Sequence, residues 1–135
     1  LEEYKLKISN FRKDELSNLT QDYSSKSSKI GKYNVIIENI SLENSNESRE
    51  VALNMVNNFD VDICLLFSNI SGKTIIVGST KPSIDLDISI ITNDLSSLYS
   101  GGASKDPNLS IGGGPGKYDT DKAINAAKQF LTKLL

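Results

Sequence analysis

The stretch Val61 to Thr80, VDICLLFSNISGKTIIVGST, holds two apolar runs separated by Ser71 and Gly72. Short runs of β-branched and aliphatic residues around a turn pair predict an antiparallel hairpin. Upstream, YNVIIENI at 33–40 is β-branched and bounded by turn residues, so it reads as a strand. Between these segments Asn44 to Asn46 offer an N-cap. From Glu47 onward Val51, Met55, Val56 and Phe59 keep helical spacing, with acidic residues in the first turn where the macrodipole favours them. The order strand, helix, strand, strand predicts an α/β (α+β) fold, a single mixed sheet with helices packed on it.

Outward from this centre the reading is less uniform. In 83–91, Ile84, Leu86, Ile88 and Ile90 alternate as in a strand, whereas Ile88, Ile91, Leu95 and Leu98 keep helical spacing. A helix from about Asp87 to Tyr99, stopped by the glycine pair that follows, is the expectation. Asp119 or Thr120 caps a final helix that buries Ala123, Ala126, Ala127, Phe130, Leu131 and Leu134. At the other end Leu1, Tyr4, Ile8, Phe11, Leu16, Leu19 and Tyr23 fall within an arc of roughly 140° at 100° per residue, which predicts a long amphipathic helix over 2–24. SSKSSKIGK then reads as a polar turn or linker. The expected organisation is a helical arm at 1–30 and a globular domain at 31–135.

Composition narrows the function classes. The 135 residues include no histidine and one cysteine, Cys64, which excludes Ser-His-Asp and Cys-His nucleophiles, His-based metal sites and a thiolate zinc cluster. No apolar run approaches the ~20 residues that cross a bilayer, so no membrane role is expected. Cys64, within VDICLLF, reads as a small core residue, and an unpaired cysteine fits a reducing, cytoplasmic compartment. The chain begins LEEYKLKISN, without an initiating Met or a visible signal peptide, and is expected to be a piece of a longer one. Sequons at Asn18, Asn39, Asn46, Asn69 and Asn108 are read as chance products of an Asn- and Ser-rich chain.

Gly101 to Lys117, GGASKDPNLSIGGGPGK, concentrates six of the nine glycines. With Pro107, Leu109 and Ile111 inside it, it reads as a shaped loop rather than a slack linker. It is not a nucleotide loop. G-x4-G-K-[ST] fails at Gly72-Lys73-Thr74, where Phe67 holds the first glycine's place, and again at Gly116-Lys117. A dinucleotide fingerprint fails because Lys117 stands where the last glycine belongs. Asp60, Asp62, Asp85 and Asp87 read as solvated element ends, since nothing in their spacing gathers oxygen ligands. The net charge of −2 is unevenly spread: residues 33–94 carry nine acids against three bases, while 1–32 carry seven bases against five acids and 100–135 five against three. Lys105, Lys117 and Lys122, and the cluster Lys26, Lys29 and Lys32, are candidates for a modest phosphate-facing surface.

The element order together with this glycine segment resembles the C-terminal DHH-associated domain of alanyl-tRNA synthetases, whose motif has the form GG-GGGRPD-AQ-GG. Gly101-Gly102 resembles the first pair, Lys105 and Pro107 the basic residue and proline, and Gly112-Gly113 the final pair. Leu109-Ser110-Ile111 stands where Ala-Gln-Ala usually lies. Ala103 and Ser104 replace glycines, Asp106 is an extra residue before Pro107, and Ser110 replaces the Gln. Phosphoesterases of the DHH type and free-standing alanyl-tRNA editing proteins carry related domains, the former usually with a histidine near the glycines.

The resemblance implies a non-catalytic domain of an alanine-tRNA ligase, supporting tRNA(Ala) binding and homodimerisation. The ATP-, magnesium- and zinc-dependent sites then lie in the parent enzyme and no cofactor in this stretch. It implies a docking loop of Gly101, Gly102, Lys105, Pro107, Gly112, Gly113, Gly114 and Lys117. Dimerisation is expected through Tyr4, Ile8, Phe11 and Leu19. The alternatives are a purely structural dimerisation module, or the substrate-binding half of a DHH phosphoesterase or of an editing protein.

Overall fold

The computed structural model describes residues 15–16, 18–23, 25–40, 42–59, 61–70, 72–115 and 119–134. Residues 15–16 and 18–23 are helical (α1). They precede β1 (Ser28–Ile30), β2 (Tyr33–Asn39), α2 (Ser45–Asn58), β3 (Ile63–Ile70), β4 (Lys73–Thr80), α3 (Ile88–Ser97), β5 (Gly102–Ala103), β6 (Leu109–Gly114) and α4 (Thr120–Leu134). One sheet of six strands runs in the order β1-β2-β3-β4-β6-β5. Only β2 and β3 are parallel, with Val35 opposite Ile63, as a strand-helix-strand crossover through α2 requires. The expected hairpin is present, closing with Ile70 opposite Lys73 across a turn that contains Gly72 at φ +80°.

Period-two alternation divides the core into two layers. Val35, Ile37, Ile63, Leu65, Phe67 and Ile76 pack with Ile88, Ile91, Leu95 and Tyr99 of the α3 segment and with Ala123, Ala127 and Leu131 of α4. Ile36, Cys64, Leu66 and Val77 point the other way, onto Val51, Ala52, Met55 and Val56 of α2 and Leu16 of α1. Covered on both faces, β3 has no place for a polar residue from Ile63 to Phe67, hence its unbroken apolar run. The helices begin as their caps dictate. Asn44 Oδ1 accepts from the Glu47 N–H at 2.9 Å, and Glu47 Oε1 accepts from the Glu43 N–H at 2.9 Å. Asp87 Oδ1 accepts from the Ser89 N–H at 3.0 Å, and Asp119 Oδ1 from the Asp121 N–H at 2.9 Å.

Three local expectations are corrected or bounded. SSKSSKIGK is not wholly a linker: Ser28 to Ile30 form β1, paired with Val35 to Tyr33. The turn between them has Gly31 at φ +62° and Lys32 at negative φ, the pattern of a II′ hairpin turn, and this is the signal that the composition hides. The α3 helix is shorter than the predicted 87–99, and the left-handed residue that ends it is Ser100 at φ 63°, not a glycine. Of the predicted N-terminal helix, 15–16 and 18–23 are helical and the part over 2–14 lies outside the described residues. No helix of the described residues is long and apolar enough to cross a membrane.

Cys64 is fully buried in the second layer. Burial pushes its thiol up from 9.0 to about 12, against a smaller lowering by its hydrogen bond with Ser79. The folded chain therefore keeps this proton where the unfolded chain has released it, so stability falls as pH rises from 9.0 towards about 12. Cys64→Ala should remove this part of the alkaline loss, measured as the difference in pH slope between the two proteins in urea unfolding. Phe67→Ala, emptying a fully buried site on β3, should cost about 3–5 kcal/mol in the same assay.

Candidate nucleic-acid interface

The glycine-rich segment is a β-hairpin for most of its length rather than a loop. Gly102 pairs with Gly113 and Ala103 with Gly112, while β6 pairs on its other side with β4, Val77 opposite Ile111. The strand character was concealed because glycine is depleted in strands and no alternation marks GGG. Gly113 sits at φ +123°, and a Cβ there would lie 1.9 Å from Thr74 O on β4. A Cβ on Gly101 would lie 1.7 Å from Gly113 O. This explains the helix stop: Gly101 is needed for that approach, so the left-handed position falls one residue earlier, on Ser100.

Beneath α3 the sheet lacks side chains at Gly78 and Gly112. A Cβ on Gly78 would lie 2.7 Å from Ile88 Cγ1 and from Thr92 Oγ1, and one on Gly112 would lie 2.4 Å from Ser96 Oγ. The helix thus rests on bare backbone of β4 and β6. The Gly113 N–H donates to Ser96 Oγ at 2.8 Å, and the Ser96 hydroxyl in turn donates to Thr92 O at 2.6 Å. The Gly101 N–H donates to Ser96 O at 3.0 Å, and the Ser100 N–H to Ser97 O at 3.2 Å, a Schellman-type closure. Ser96 and Gly78 are the residues that the sequence reading missed. Their signal is the run of small residues, Thr92, Ser96, Gly78 and Gly112, at matching positions on helix and strands.

Of the expected docking residues, Gly101, Gly102, Lys105 and Pro107 are exposed, while Gly112, Gly113 and Gly114 are half-buried. The Gly101 and Gly113 N–H groups are engaged within the fold. Lys105 projects at the hairpin tip, over an open groove of about 430 Å³ lined with Asp87, Ser89, Ile90, Asn93, Ala103 and Ser104. The tip is fixed locally: Asp106 Oδ1 accepts from the Asn108 N–H at 2.9 Å, and Pro107 O accepts from the Ile88 N–H at 3.0 Å. Lys117 lies outside the described residues, as do Tyr4, Ile8, Phe11 and Asp60. Leu19 is half-buried against the second core layer. Asp62 is held by Lys81 Nζ at 3.3 Å and by the Asn34 N–H at 2.8 Å. Among the described residues no three His, Cys, Asp or Glu side chains converge as a metal site.

Substitutions should separate packing glycines from the rest. Gly113→Ala should destabilise the chain by about 3 kcal/mol or more, through both its φ and the collision with β4. Ser96→Ala, which deprives the Gly113 N–H of its acceptor, should cost about 1–3 kcal/mol. A Cβ on Gly102 meets only Asn93 Oδ1 at 3.6 Å, so Gly102→Ala should stay within about 0.5 kcal/mol of the parent in thermal or urea unfolding.

Neither a protein-family model nor a curated protein matches the sequence. Solved structures match the fold. The C-Ala domain of alanyl-tRNA synthetase from Aquifex aeolicus is similar with a TM-score of 0.70 and 17% identity, over 78% of this chain and 97% of that one. An exopolyphosphatase-related protein from Bacteroides fragilis is similar with a TM-score of 0.52 and 14% identity, over 88% of this chain but 35% of that one. The chain thus spans about a third of the exopolyphosphatase-related protein and nearly the whole of the synthetase domain. It has the fold of the C-Ala domain of alanyl-tRNA synthetase.

Proposed function

We propose that this chain is a non-catalytic, tRNA-binding domain of an alanine-tRNA ligase, whose ATP-, magnesium- and zinc-dependent chemistry belongs to other parts of the parent enzyme in the cytoplasm. The observation that carries this reading is the likeness to the synthetase domain over 97% of that domain's length. The glycine segment supports it through its order of Gly pair, Lys105, Pro107 and Gly triplet. Binding is by backbone phosphates and shape rather than by base sequence, in keeping with a surface of lysines. Homodimerisation is the second part of the proposal, through the apolar stripe of Tyr4, Ile8, Phe11 and Leu19.

Fluorescence anisotropy of a labelled tRNA(Ala) transcript with the chain, over a salt series, tests the first part. Saturable binding whose log K falls linearly with log salt is expected. The likeness to the exopolyphosphatase-related protein favours a second reading, the substrate-binding half of a phosphoesterase. Tighter binding of inorganic polyphosphate than of tRNA, at equal phosphate concentration, would select it. Sedimentation of the chain with Ile8 and Phe11 changed to Ser tests the second part: the parent should be dimeric at micromolar concentration and the variant monomeric.

A further inference from the structure

The two edges of the sheet differ in charge. At the β5 edge Lys105 is accompanied by Asp106 and Asp87, with Asp85 and Asp94 flanking and inside the α3 segment. At the β1 edge Lys26, Lys29 and Lys32 recur every third residue, and no acidic residue occurs from Tyr23 to Ile37. All three lysines are exposed. Among the described residues none of the three has an ion-pair partner. The nearby carboxylate on the β3 side, Asp62, is already neutralised by Lys81 and held by the Asn34 N–H, so it does not cancel them. The α4 helix, which packs over β2, carries Lys122, Lys128 and Lys133 on its exposed face and no acid after Asp121.

Aromatic rings lie among these charges. Lys26 Nζ is 4.4 Å from the centroid of the Tyr23 ring, and Lys32 Nζ is 5.4 Å from that of Tyr33. Such contacts hold an ammonium in place without removing its charge. Both tyrosines are half-buried, and Tyr33 packs on the first core layer while Tyr23 packs on the second. The end of α1 and the β1–β2 hairpin therefore present one rooted ring on each side of this edge, beside cations that have no ion-pair partner among the described residues, the combination that binds phosphates and receives unstacked bases. A lipid surface would ask for an apolar anchor among the cations, but among the described residues the exposed large hydrophobic residue, Ile90, lies at the opposite edge, in the Lys105 groove.

We propose that the β1 edge, formed by the β1–β2 hairpin with Lys29, Lys32 and Tyr33 and by the preceding turn with Lys26 and Tyr23, is the surface that grips the sugar-phosphate backbone of a structured RNA. This rests on the RNA-binding reading above and moves the principal contact away from the glycine hairpin. Anisotropy with the tRNA(Ala) transcript, comparing the 135-residue chain with Lys26→Gln/Lys29→Gln/Lys32→Gln, tests it, with Lys73→Gln, at the far β3–β4 turn, as the charge control. The triple variant should bind at least tenfold more weakly, and its salt slope should be shallower by about 2–3, since each lost phosphate contact removes roughly 0.7–0.9. The Lys73 variant should match the parent, and unchanged circular dichroism and melting establish that the triple variant is folded. A triple variant that binds tRNA as the parent does, with the same slope, would overturn the assignment while leaving RNA binding intact. Absence of tRNA binding by the parent itself would instead remove the functional reading, and this proposal with it. Parent binding to anionic phosphatidylserine vesicles that exceeds binding to tRNA, and is lost in the triple variant, would likewise overturn it.

Discussion

The structure depends on the close approach of α3 to β4 and β6. Gly78 and Gly112 remove the side chains that would hold the helix off, and Ser96 then reaches the Gly113 N–H at 2.8 Å. A sheet strand that turns its backbone towards a helix must find partners for the groups so exposed, because an unpaired buried N–H costs as much as the contact gains. Ser96 answers that need, accepting from Gly113 while donating to Thr92 O. The same approach fixes the return of the chain after α3, with Gly101 against Gly113 and the left-handed residue displaced to Ser100.

The contact also explains what was legible in the sequence. Segments whose pattern arises from burial were readable: ICLLF is apolar because both faces of β3 are covered, and α2 and α4 show their stripes because each covers one core layer. Asn44 and Asp119 were identifiable as caps since capping is local chemistry, whereas Asp87, read as a solvated end, caps α3. The glycine hairpin was located but taken for a loop. In a strand packed through its backbone the absence of side chains is the signal, and that absence looks like a turn. β1 was hidden for a related reason. Its three residues, SKI, are too few to show alternation, and only Gly31 marks the turn.

For the candidate site the lesson is that glycine density and ligand binding need separate arguments. The element order and the spacing of glycines, Lys105 and Pro107 pointed to the C-Ala type of fold, and the likeness to that domain agrees. The individual glycines answer to packing. Charge is then the guide to the surface: Lys26, Lys29 and Lys32, which have no ion-pair partner among the described residues, lie on the β1 edge, at the other side of the sheet from the glycines. A short β5 at the opposite edge, only Gly102–Ala103, offers little ladder for another chain to extend. The fold thereby separates a rigid, backbone-packed half from a cationic, aromatic one.

The central claim is that the glycines serve the fold before they serve any ligand. Amide hydrogen exchange at Gly101 and Gly113 in the free chain, read by NMR, tests it most directly, because both N–H groups are bonded to Ser96. Strong protection at both in the absence of RNA, with that at Gly113 lost in Ser96→Ala and that at Gly101 kept, is the predicted result. Rapid exchange at both in the free chain, with protection appearing only when tRNA is added, would contradict it.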